Sequence, residues 1–253
     1  AMDDVIRALA EQQEALGLLV ADRDDDGLRA PTRCAGWTAV DVLLHLAQTN
    51  EAAVASVEGR LGEFRLGGTD PGAAGDVDEL AHLAVAAERD RPPSEIRDRW
   101  MASAVAQVDA FEGCDPHDRV VWVAGEMAAR TLASTRLSET WIHTVDVASA
   151  YGPPPEPTER LWHVARLAWR TVPYAFAQAG LDLQAPVAFE LTAPDGGRWS
   201  FGPDGPTDAL TVVRGAAADL CEVAGQRADA SATGLTAEGP DAAEVLRLVR
   251  TFA

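Results

Sequence analysis

Hydrophobic positions in the first half of the chain recur at helical spacing. Val5, Leu9, Leu16 and Leu19 mark residues 3–21 as an amphipathic helix. Residues 22–37 are polar and punctuated by Gly and Pro, which predicts a loop. From Thr38 to about Arg60 the chain is apolar nearly all round, except for a stripe of Asp41, His45, Gln48 and Thr49. Thr38 and Asp41 have the spacing of a capping box, so the second helix starts there. A Gly-rich loop at 66–75 leads to a short helix at 77–90, stopped by Pro92 and Pro93. Ser94 and Glu95 open a third long helix, which runs to about Phe111. Residues 115–127 read as irregular or briefly extended, and a fourth long helix covers about 128–150.

Gly152 and the run Pro153–Pro155 end that helix, and the periodicity changes after them. Residues 157–179 suit a helix. Residues 188–193 alternate as a strand does, a PDGG turn follows, and 198–202 and 208–215 read as two further strands. Residues 216–225 and 241–252 suit two closing helices. The fold class expected is α+β: a four-helix bundle over 1–153 and a small α+β domain over 154–253.

Composition narrows the function. Forty acidic residues against 21 basic ones give a net charge of −19, so a duplex or an anionic membrane surface would repel the chain. No run approaches the roughly 18–20 apolar residues of a membrane span. The N-terminus is acidic and amphipathic rather than basic and then apolar, unlike a secretory signal. Cys34, Cys114 and Cys221 are far apart and odd in number, which fits a reducing cytoplasm. Every basic residue is Arg. Without lysine there is neither a Schiff base nor a P-loop grip on phosphate. The Ala- and Arg-rich usage suggests a high-GC actinobacterial genome.

Candidate chemistry concentrates on the fourth helix. Glu139 and His143 are one turn apart on one face, with Asp146 close beside them. A carboxylate and an imidazole at this spacing can reach one metal ion, although they also occur as a solvated helix pair. If the second and fourth helices face each other, His45 completes a set of two histidines and one glutamate. Three protein ligands leave a position open, as in catalytic zinc sites. Trp122 and Met127 precede this helix and are candidates to line a pocket.

Three segments then resemble a known family. CAGWTAVDVLLHL (34–46) resembles the metal-binding segment of DinB-like helical bundles, and more narrowly of the mycothiol-dependent maleylpyruvate isomerases. RLSETWIHTVDVASAYG (136–152) is similar to that family's second signature. TVVRGAAADLCEVAGQRA (211–228) resembles its small sterol-carrier-like C-terminal domain. The resemblance covers nearly the whole chain and points to an actinobacterial subgroup.

The resemblance implies that His45, Glu139 and His143 hold zinc or another divalent ion. Asp146 and Asp41 are the candidate partners of the ligating imidazoles, and for Asp41 a helix cap is an equal reading. It also implies mycothiol as co-substrate. The reaction expected is isomerisation or S-transfer on a small electrophilic or anionic substrate, with the metal-bound water or thiolate as the reacting group. An anionic substrate needs local cations, and Arg136, Arg227, Arg130 and Arg214 are the candidates. The rival readings are a metal-dependent hydrolase or group-transfer enzyme of natural-product biosynthesis, or a non-enzymatic metal- or ligand-binding module. No nucleic-acid or membrane partner is expected, and the chain is expected to act in the cytoplasm as a monomer or homodimer.

Overall fold

The computed structural model describes residues 2–204 and 210–251. The chain forms two compact units, Ala1–Pro155 and Glu156–Ala253. The first is a bundle of helices and the second a small sheet with helices, so the fold class is α+β.

Four long helices make the bundle: α1 (Met2–Val20), α3 (Ala39–Val57), α5 (Pro93–Glu112) and α6 (Ala129–Ala148). A single turn, α2 (Asp25–Leu28), sits inside the expected loop. The Asp24 side chain caps it by accepting from the Gly27 N–H at 2.8 Å, a local bond that the Gly and Pro punctuation obscured. Helix α3 starts on the expected capping box. The Asp41 N–H donates to Thr38 Oγ1, and the Thr38 N–H donates to Asp41 Oδ2. Helix α4 (Val77–Glu88) lies against α3, where Gln48 Nε2 donates to Ala84 O at 2.9 Å. Gly67 permits this approach. A Cβ there would fall 2.5 Å from Ala84 O, and its φ of +54° already favours glycine.

The bundle interior is divided. One part is apolar, with Leu16, Leu28, Leu43, Leu44, Leu46, Ile96 and Trp100 in a single cluster. The other part is polar. Gln13 donates to Gln107, Gln107 to Asn50, and Asn50 to Ser103, all buried. Gln12 donates to Thr144 on α6. Helix α6 buries Thr135, Arg136, Ser138, Glu139, Thr140, His143, Thr144 and Asp146 together with its apolar residues. Its threonines satisfy their hydroxyls on carbonyls one turn back.

The segment expected to be irregular or briefly extended is a hairpin, β1 (Arg119–Trp122) and β2 (Gly125–Ala128). Trp122 pairs with Gly125 across its two-residue turn. The Ser56 hydroxyl of α3 donates to Val121 O and ties the hairpin to the bundle.

In the second unit, α7 (Leu161–Gln178) precedes strands β3 (Val187–Thr192), β4 (Arg198–Phe201), β5 (Thr211–Ala216) and β6 (Thr236–Glu238). Helices α8 (Ala217–Ala224) and α9 (Ala242–Leu248) complete it. The sheet order is β4-β3-β5-β6, with β3 and β5 parallel and the outer pairs antiparallel. Residues 208 and 209, expected to open the third strand, lie outside the described residues, as does 252 in the closing helix. Strand β6 was not foreseen; three residues are too few to show alternation. The buried Asp241 carboxylate accepts from the N–H groups of Gln184 and Ala185, so it is satisfied rather than catalytic. Among the described residues, no helix is long and apolar enough to cross a membrane.

Candidate metal centre

Helices α3 and α6 pack side by side and bring His45, Glu139 and His143 together. One donor atom from each lies within 4.8 Å of the others. His45 Nε2 is 3.8 Å and His143 Nε2 is 3.4 Å from the same oxygen, Glu139 Oε2. Tetrahedral ligands at ~2.0–2.1 Å from one ion stand about 3.4 Å apart, so this spacing suits a shared cation. Their side chains keep 11%, 11% and 8% of their surface, so the centre can be reached from outside.

The electrostatics point the same way. Burial keeps His45 neutral, lowering its pKa to about 4 despite the nearby Glu139. A neutral imidazole has a lone pair to give. Burial works against the Glu139 carboxylate, but both histidines outweigh it and hold its pKa well below the usual range. Burial also opposes charge on His143, but the Asp146 and Glu139 carboxylates prevail and raise its pKa. His143 Nδ1 lies 3.0 Å from Asp146 Oδ2. With Nδ1–H donated there, Nε2 would turn a lone pair toward a carboxylate oxygen. That contact is unfavourable without a proton or a metal ion between them. The donor set therefore fits a divalent ion. His45 Nδ1 is the weak point, because it is buried with no hydrogen-bond partner among the described residues.

Asp146 is not among the converging donors. Its Oδ1 accepts from Arg33 Nε at 2.7 Å while Oδ2 faces His143, and the side chain is fully buried. Ser149 Oγ accepts from the Arg33 N–H and donates to Asp146 O. Asp41, the other expected imidazole partner, is engaged elsewhere. Both its oxygens face Thr38 or Arg89, with Arg89 Nη2 at 2.6 Å. It caps its helix and pins α4.

Asp146→Asn should keep the shape of this arrangement and lose its charge. The expected outcome is a loss of about 10–100-fold in metal affinity, read by competition with a chromophoric chelator. An unchanged affinity would remove Asp146 from the site.

Other expected residues fall into groups. Arg136 is buried three residues before Glu139, and its Nη2 donates to Thr49 Oγ1 and Asn50 Oδ1. The Trp122 ring lies 5.9 Å from its Cζ. Met127 stands opposite Val120 in the hairpin. Arg214 pairs with Glu238 on the sheet surface, and Arg130 is exposed. Arg227 belongs to the second unit, where it lines a basin of about 550 Å³ with Arg247 and Arg250.

Three further residues stand around the donor set, and no periodic pattern in the sequence marks them. The Trp37 ring, buried in the apolar cluster, is also 5.1 Å from that of His45 and 6.5 Å from that of His143. His82 is exposed, and its ring lies 5.1 Å from that of Trp37. Arg33 holds Asp146 across 113 residues of sequence, a separation that leaves no local pattern.

Comparison with known proteins places these features in context. Residues 9–148 match the family described as mycothiol maleylpyruvate isomerase N-terminal domain. Two uncharacterized proteins of Mycobacterium tuberculosis, from strains H37Rv and CDC 1551, are each 32% identical over 249 residues. Those matches cover 97% of this chain and 93% of each relative. The crystal structure of the mycothiol-dependent maleylpyruvate isomerase has the same fold, with a TM-score of 0.60 at 18% identity. A point mutant of that enzyme gives 0.60 at 17%, and each match covers 96% of both chains.

Proposed function

The chain belongs to the mycothiol maleylpyruvate isomerase family, and we propose that it is a metal- and thiol-dependent isomerase or S-transferase acting on a small electrophilic substrate. The observation that carries this reading is the open ligand set. Two imidazole nitrogens and one carboxylate oxygen converge, and Asp146, the neighbour able to close the set, is turned to His143 and Arg33. A closed, four-donor site would instead indicate a structural role.

In this reading His45, Glu139 and His143 hold zinc, and mycothiol is the co-substrate. A divalent ion bound there would lower the pKa of a thiol and polarise a carbonyl oxygen. The protein's part is to orient and to shield. Asp146 fixes the His143 ring, and Trp37 walls the two imidazoles on one side. Thiolate addition to a conjugated double bond forms a C–S bond and moves an electron pair to the carbonyl oxygen. The former double bond can then rotate, and the pair returns as the thiolate leaves. The thiol is regenerated, so no oxidant or reductant is consumed. We assign the second unit to the sterol-carrier-like domain of the family and the enzyme to the cytoplasm.

The test supplies metal, mycothiol and a cis-configured α,β-unsaturated oxo acid, with maleylpyruvate as the first probe. NMR follows the conversion of cis to trans. Turnover is expected only when metal and thiol are both present. Turnover with the thiol withheld would favour the hydrolase or group-transfer class instead.

A further inference from the structure

The interior of the bundle holds a positive charge that no carboxylate neutralises at contact distance. Arg136 is 1% exposed. Its Nη2 donates to two neutral oxygens, Thr49 Oγ1 at 2.8 Å and Asn50 Oδ1 at 3.1 Å. Its Nε is sealed from solvent and has no hydrogen-bond partner among the described residues. Nη1 makes no hydrogen bond among the described residues. No carboxylate oxygen among them lies within 4.0 Å of the guanidinium, whereas Arg33, Arg89 and Arg99 each have such a contact. The face of Trp122 covers one side.

Burying a guanidinium against neutral groups is costly, and a fold has no need to do it at this position. The surrounding ladder of Gln107, Asn50 and Ser103 is satisfied among its own members. An apolar side chain could occupy the space, so the charge is better explained by something it meets.

Its position says what that is. Along α6, Arg136 precedes Glu139 by three residues, which is nearly one turn. Thr49, which holds Nη2, lies one turn after His45 on α3 and donates to His45 O. The guanidinium therefore adjoins the metal centre. The Arg33–Asp146 pair cancels itself there, and Arg136 offsets Glu139. A divalent ion then leaves a surplus of two positive charges in a mostly closed site. One anionic group on the metal meets half of that surplus. Glu139 offsets Arg136 only from beyond contact distance, so the donors that Arg136 leaves unused among the described residues can receive a second anionic group whether or not the ion is bound.

We propose that Arg136, with Trp122 over its face, is an anion-recognition position beside the metal centre and takes a carboxylate of the substrate. The occupant is a small molecule with a carboxylate at one end and its reacting group toward the metal. The proposal relies on the function proposed above only for the identity of that molecule. The anion position itself uses residues that are present with or without metal and thiol.

The test therefore uses chelator-treated full-length protein without thiol. Isothermal titration with succinate is compared with neutral succinamide and with inorganic sulfate. Succinate should bind, and succinamide should not. Arg136→Met should weaken succinate binding by about 10–100-fold, the range for losing charge-assisted hydrogen bonds. Its melting temperature should stay level or rise, because an unneutralised buried charge has been removed. A structural arginine would show the opposite, a lower melting temperature. If Arg136→Met fails to fold, Arg136→Lys decides, since it keeps the charge and changes the donor fork. Weaker succinate binding supports the position, and unchanged binding overturns it. Succinate binding as tightly to Arg136→Met as to the wild type also overturns it, and so does an absence of binding to the wild type. Sulfate binding more tightly than succinate would overturn the carboxylate assignment. A failed thiol assay would not alter any of these readings.

Discussion

His45→Ala should strip the protein of metal and leave the bundle folded. The wild type is expected to hold about one divalent ion per chain, the stoichiometry of a three-ligand site. The variant keeps only Glu139 and His143, two donors from one helix, and loses the one that joins α3 to α6. Its metal affinity should fall by more than the about 10–100-fold that follows loss of an outer partner. Thiol-dependent turnover should disappear with the metal. The fold should survive because α3 is set by other means. Its capping box and the fully buried Val42, Leu43, Leu44 and Leu46 do not involve the imidazole. The stability of the metal-free protein should change by no more than about 2 kcal/mol. The variant loses packing around a buried ring, but it also loses a buried ring nitrogen without a partner, which costs about 1–3 kcal/mol. Elemental analysis and circular dichroism on the same sample decide the matter. If His45→Ala unfolds, the metal belongs to the fold and the enzymatic reading loses its support.

Much of this arrangement is written in local patterns. Thr38 and Asp41 announce the start of α3 through a bond between neighbours, and Glu139 and His143 share a face by helical spacing alone. What could not be read is what depends on distant packing. Asp41 had two open roles, and the deciding partner, Arg89, lies 48 residues away. Arg33 finds Asp146 in the same way. Helix α6 hid its orientation because it is buried almost all round, so no polar stripe separates inside from outside. Arg136 could therefore be named as a cation but not as a buried one. Trp37 sits just before a helix, where loop geometry rather than periodicity aims the ring. The pairing of the briefly extended segment into the β1–β2 hairpin, and strand β6, were not legible because their runs are too short for alternation to show.

Trp100→Ala should have the largest effect on stability and should spare the metal chemistry in kind. Trp100 is 2% exposed on α5 and lies in the apolar cluster with Leu43, Leu44, Leu46 and Ile96. Its deletion leaves a large void that helices cannot close without losing their ridges. The expected cost is about 3–5 kcal/mol, a large part of the about 5–15 kcal/mol that holds a domain folded. Trp100→Phe should cost much less. It retains most of the packing and removes Nε1, which is buried without a hydrogen-bond partner among the described residues. The two large predictions separate cleanly in one experiment, thermal melting with and without zinc. Zinc binding to the folded state alone should raise the melting temperature of the wild type. Trp100→Ala should melt lower in both conditions and keep a zinc-induced rise, because its donors on α3 and α6 are untouched. His45→Ala should melt near the metal-free wild type and show no rise. If Trp100→Ala also lost the rise, the spacing of the donors would depend on the apolar half of the bundle, and the two halves of the interior would act as one unit.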